Sequence, residues 1–212
     1  MKKLSCSEID EILTMRISDF IFSLPNTQLK FEPFSNLSLS EKENLRAKFC
    51  LYIYNLCYTY YIVNLFFKFH KSEVKPLLDL IHKKFREKLD LQYEKSLVVF
   101  KDLIVIKEEQ NNVINSLNSL NIDFTENTKT TIRDIFDFIY DLRYPVYQKE
   151  ILNAKRQMDS KNPFYELSLY FTNHLFGKKE SKFAYDFSIY TNIRTMNIIY
   201  KYIKDNIEDL YE

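Results

Sequence analysis

Asp134, Asp137 and Asp141 stand at i, i+3 and i+7, a spacing that brings three carboxylates to one side of a helix. Acids placed this way can share a Mg²⁺ ion and present it to a pyrophosphate, and Asp205 and Asp209 near the C-terminal end offer an opposing pair. The same three acids lie opposite Ile132, Ile135, Phe136 and Ile139 on a helical wheel, where a solvated face belongs. The expectation is therefore solvation, with no bound metal and no cofactor. Histidine chemistry has little to build on. The three histidines, His70, His82 and His174, form no HExxH or ExxH pattern, and no arginine precedes one by the five to seven positions of the helical ribonuclease motif. Asp79 and His82 share a helix face, but Lys83, Lys84 and Arg86 surround the imidazole with positive charge and disfavour a divalent ion. That context predicts a surface histidine.

Tyr54, Tyr58 and Tyr61 form the most distinctive constellation. They project from one side of an apolar segment and combine rigid apolar area with hydroxyl tips, a composition suited to a protein interface or a ligand pocket. They are the candidate binding residues. The same rings can instead fill a core, with their hydroxyls bonded to the backbone or to water at its rim.

Gly177 is the sole glycine in 212 residues. GxGxxG, GxxxxGK[ST] and GxSxG each need two, so Rossmann dinucleotide binding, P-loop chemistry and the α/β-hydrolase elbow are excluded in their usual forms. The same scarcity argues against a meander of many short hairpins.

Hydrophobic residues at 46% and charged residues at 28% are globular values. Alanine occurs only at Ala47, Ala154 and Ala184, while Lys, Asn, Ile, Tyr and Phe abound, the bias of an AT-rich genome such as that of a low-GC bacterium, a phage or a virus. Net charge is +1, so no global field draws the chain to nucleic acid or to anionic membrane. Cys6, Cys50 and Cys57 are odd in number and lack CxxC spacing, which predicts reduced thiols in a cytoplasmic protein. Residues 50–67 carry no charge but include Asn55, Thr59, Asn64 and five tyrosines, a core helix rather than a membrane span.

These residues need helices to position them. Apolar periodicity and turn residues predict an all-α chain of about seven or eight helices, one domain spanning 1–212. The first helix runs near 7–23 and ends at Pro25. Ser40 to Glu43 is a capping box that opens a helix over about 41–69, apolar on two opposite faces and hence the centre of the fold. A third helix contains Pro76, and a fourth spans about 92–121 on a seam from Val99 to Leu120, its LVVFKDLIVI stretch being the best strand candidate in the chain. The helix of Ile132 to Ile139 is kinked or broken at Pro145, and a further segment reaches about Met158. Asn162-Pro163 and Gly177 bracket the next helix, and the last covers about 183–211, with Ile189, Ile193, Met196 and Tyr200 opening a heptad-like seam.

No catalytic pattern survives this reading, whereas packing seams and aromatic faces are plentiful. The sequence favours a non-enzymatic helical protein that binds another protein as an inhibitor or adaptor, with self-association through helical seams as a further possibility. The alternatives are a bundle that holds an apolar small molecule or lipid beside Tyr54, Tyr58 and Tyr61, and a Mg²⁺-dependent enzyme using Asp134, Asp137 and Asp141.

Overall fold

A computed structural model describes residues 6–67, 71–156, 162 and 164–211. His70, Phe69, Met158, Pro163 and the side chains of Cys6 and Ile9 lie outside the described residues.

Helix α1 (Cys6–Gln28) does not stop at Pro25 as the sequence reading expects. The Pro25 carbonyl still accepts from Leu29 N–H at 3.0 Å, and the extra turn carries Gln28 into the core, where its amide pairs with Asn55. A tertiary partner thus outweighs the local cost of proline. A single 3₁₀ turn at Phe34–Asn36 then inserts Phe34 among Phe171, Phe183 and Phe187, edge-on to all three.

Ser40 and Glu43 form the capping box that starts α2 (Glu41–Phe66). From Phe49 to Tyr60 this helix is buried without interruption, and it packs against at least six others, so it is the axis of the bundle. Helix α3 (Lys71–Tyr93) accommodates Pro76 near its start and buries Leu77, Ile81, Phe85 and Leu89 along one stripe.

The expected helix over 92–121 is replaced by strand β1 (Leu97–Val99), a single turn α4 (Phe100–Leu103) and α5 (Lys107–Ser119). Strand β1 pairs antiparallel with β2 (Lys129–Thr131), Leu97 opposite Thr131 and Val99 opposite Lys129. The β-branched run finds a threonine-rich partner some thirty residues on, not across a Gly- or Pro-marked hairpin turn. Gln110 secures the break between α4 and α5 by donating to the Ile104 carbonyl at 2.5 Å.

Thr131 and Asp134 exchange side-chain and backbone hydrogen bonds at the start of α6 (Ile132–Arg156). This helix continues through Pro145, so the break that the sequence reading allowed does not occur. Pro145 and Asp141 are both exposed, so the carbonyl that proline cannot engage is left to water. Helix α7 (Tyr165–Phe176) ends at Gly177, whose φ of 72° is the left-handed conformation that favours glycine.

The predicted last helix divides into α8 (Ser181–Asp186), a π-helical turn (Phe187–Asn192) and α9 (Ile193–Tyr211). The wider turn shifts the register, and Thr191, Asn192 and Thr195 face inward, all fully buried. The result is an all-α bundle with one two-stranded ribbon. Among the described residues no helix is long and apolar enough to cross a membrane.

Leu56 has no exposed surface and lies mid-way along α2. Leu56→Ala is expected to cost about 2–5 kcal/mol of unfolding free energy in denaturant titration; a loss below about 0.5 kcal/mol would mean that the axis is not packed as described.

Candidate functional site

The structure separates the three candidate tyrosines. Tyr54 and Tyr58 are wholly buried, and both donate their O–H to Asn192 Oδ1, Tyr58 at 2.6 Å. Asn192 in turn donates to Ser168 Oγ at 3.3 Å. Burial pushes both phenols above their ordinary range, so they are neutral donors inside the core. Tyr61 turns outward instead and lines a cleft of about 500 Å³.

That cleft is apolar. Its walls are Tyr61, Ile62 and Leu65 of α2, Ile151 of α6, and Met196 and Tyr200 of α9. Tyr200 stacks on Phe66 at 5.1 Å between ring centroids. From Tyr200, 45% exposed at the cleft, the seam runs back into the open through Ile193 of α9 and Ile189 of the π-helical turn, 39% and 37% exposed.

On the other side of α2 lies a second cleft, of about 680 Å³, between α2, α3 and α6. Tyr60 and Asn64 come from α2, Lys75, Asp79 and His82 from α3, and Tyr140, Asp141 and Tyr144 from α6. His82 Nδ1 meets the Tyr60 hydroxyl at 2.9 Å, and its Nε2 faces Asp137 Oδ1 at 3.4 Å. Arg86 holds the other oxygen of Asp137. Burial and the charge of Arg86 push His82 below the usual imidazole range. The expected surface histidine is therefore an integrated one, bridging two helices as a neutral ring that accepts from Tyr60 and donates to Asp137.

Sequence reasoning missed a third cluster. Arg143 of α6 is fully buried and grips Glu109 of α5 with two N–H groups, at 3.2 and 2.8 Å. Its remaining nitrogen reaches Cys50 Sγ at 3.4 Å. His174 of α7 lies 3.2 Å from Glu109 through Nε2 and accepts the Tyr147 hydroxyl at Nδ1, 2.8 Å away. Burial acts to raise the Glu109 carboxyl, but Arg143 and His174 outweigh it and hold it down at about 2. Burial, then the charge of Arg143, lowers His174 to about 4. No pattern in the sequence marks this cluster, because its members lie on four different helices.

The three acids that could have shared Mg²⁺ do not converge. Asp134 caps α6 with Thr131, Asp137 pairs with His82 and Arg86, and Asp141 sits at the rim of the second cleft. Asp209, from the expected opposing pair, binds Arg16 at 2.7 Å, and Asp205 is exposed. Among the described residues no group of three or more His, Cys, Asp or Glu side chains is placed to hold a metal ion.

Both His174 and Glu109 titrate in the folded protein below their unfolded values of about 6.5 and 4.3. The unfolded chain therefore binds more protons in that interval, and acid favours it. Stability is expected to be fully present above about pH 6.5 and to fall as pH drops toward 2, His174 acting between about 6.5 and 4 and Glu109 below that. His174→Gln should flatten the upper part of this profile, measured by urea unfolding at a series of pH values; an unchanged slope would remove His174 as its source.

No protein-family model matches the chain, and neither a curated protein nor a solved structure was found to be similar to it.

Proposed function

We propose that this chain works by binding another protein, in the manner of an inhibitor or adaptor, and catalyses no reaction of its own. The observation that carries the reading is the uncovered seam. Ile193, Met196 and Tyr200 of α9 follow one another at steps of three and four residues, the repeat by which one helix packs against another, with Ile189 before them in the π-helical turn, yet three of the four are exposed. The seam runs into the apolar cleft beside Tyr61 and Leu65, which widens it into a groove. An amphipathic helix with apolar residues at the same spacing would bury both at once. Free, buried thiols at Cys50 and Cys57 suit a reducing, cytoplasmic setting.

The cleft also supports a second reading. About 500 Å³ with walls of Ile, Leu, Met and Tyr would accept an apolar small molecule or a lipid chain.

The seam can be tested without disturbing the core. In the double variant, Ile193→Glu, at an exposed position, should cost about 0.5 kcal/mol or less, and Tyr200→Glu adds the loss of its stack on Phe66, about 0.5–1.5 kcal/mol. Proteins captured by the wild-type chain from its native source are expected to be lost from this variant and retained by Leu91→Glu, a control at a position 84% exposed on another helix. Light scattering on the same samples identifies a second copy as the partner if only the seam variant becomes monomeric. Undiminished capture by the seam variant would overturn the reading, and native mass spectrometry showing a bound apolar molecule in its place would favour the second.

A further inference from the structure

We propose that α5 is an acid-released flap, which swings away from the bundle as pH falls while the other helices stay packed. The inference does not depend on the seam of α9. Residues 97–131 form an excursion that closes on itself at a neck. There β1 pairs with β2, Phe100 N–H donates to the Thr128 carbonyl at 3.1 Å, and Lys101 N–H donates to that of Glu126 at 3.0 Å. Phe100 and Phe124, both buried, meet edge to face at 5.1 Å. Arg46 of α2 holds the Asp102 carbonyl at 2.9 Å, so α4 is fixed to the body as well. Beyond this neck, α5 buries only Gln110, Val113 and Leu117 of its 13 residues, and it packs chiefly on α6. Gln110 donates to the Ile104 carbonyl and Phe124 N–H to Asn118, so these bonds stay within the excursion. Among the described residues, every hydrogen bond or ion pair from α5 to α2, α6 or α7 runs through the single carboxylate of Glu109.

That carboxylate belongs to a cluster that is balanced only while His174 is neutral. Arg143 supplies one positive charge and Glu109 one negative, with Tyr147 and Cys50 as uncharged neighbours. His174 Nδ1 accepts the Tyr147 O–H and Nε2 donates to Glu109, so both ring nitrogens are committed. A proton on Nδ1 would set N–H against O–H. It would also place a second cation beside Arg143, with Arg46 of α2 close by at the Leu175 carbonyl and Glu109 as the one facing acid. Burial, then the charge of Arg143, accordingly holds His174 down at about 4 while α5 is docked. Undocking admits water to these charges and returns His174 toward its ordinary value of about 6.5. The docked form is thus fully favoured above about pH 6.5 and loses ground as pH falls toward 4. The flap yields before the bundle because α5 gives up two buried apolar side chains, whereas α2 is buried from Phe49 to Tyr60.

Hydrogen exchange on the intact chain, read by mass spectrometry and corrected for the intrinsic pH dependence of amide exchange, tests the flap. The opening equilibrium of amides in Lys107–Ser119 is expected to rise about a hundredfold between pH 7 and pH 4, while amides of Phe49–Tyr60 stay protected. His174→Gln keeps an acceptor for Tyr147 and a donor for Glu109 but takes up no proton. Its α5 opening should rise less than about tenfold over the same interval, a difference that a purely structural role for His174 would not produce. Glu109→Gln strands Arg143 and should open α5 already at pH 7. Loss of protection in α5 and α2 together as pH falls would overturn the proposal. So would α5 opening that is independent of pH, or equal pH profiles for His174→Gln and the wild-type chain. If the Gln variants fail to fold, the comparison of the two helices in the wild-type chain still decides.

Discussion

Helix α2 is surrounded, and it carries polar side chains into a place where water cannot reach them. Each must find a partner from another helix, because an unpaired buried group costs far more than a single bond returns. Much of the architecture answers to this. Asn55 exchanges two hydrogen bonds with Gln28, which requires α1 to continue through Pro25. Tyr54 and Tyr58 both need Asn192, which the π-helical turn brings inward. Gln148 reaches back from α6 to the Cys57 carbonyl. Among the described residues, the Thr59 hydroxyl is the one polar side-chain atom of α2 left buried without a partner.

The same requirement, applied to charge, fixes α5, α6 and α7 to one another. A guanidinium as deeply buried as that of Arg143 survives only with a carboxylate in fork geometry, and His174 meets the same carboxylate at Oε1. Such a network adds little net stability over apolar packing, but breaking one member leaves a charge stranded. Its contacts tie α5 to both α6 and α7 through the one carboxylate of Glu109.

Both clefts open where α2 leaves the core. Tyr60 and Tyr61 are consecutive and so diverge by about 100° around the axis, one toward α3 and α6 and the other toward α9. The first side is rich in acids and rings, the second almost purely apolar. Helix α2 thus borders two chemically distinct clefts.

The capping box at Ser40, the two-faced apolar pattern of α2, the left-handed stop at Gly177 and the all-helical class are legible in the sequence, because each depends on contacts within a few residues or on a period of 3.6. The seam of Ile189, Ile193, Met196 and Tyr200 is legible as a seam, but its exposure is not: spacing tells that a stripe exists and not what covers it. The strand at Leu97–Val99 required knowledge of its partner at Lys129–Thr131, and the persistence of α1 past Pro25 required the Gln28–Asn55 pair. The role of His82 was hidden by its basic neighbours in sequence, whereas its hydrogen-bond partners Tyr60 and Asp137 lie 22 and 55 positions away. Local periodicity determined which segments are helices. The packing of those helices, through long-range hydrogen bonds and ion pairs, decided which polar residues became structure and which were left to line a surface.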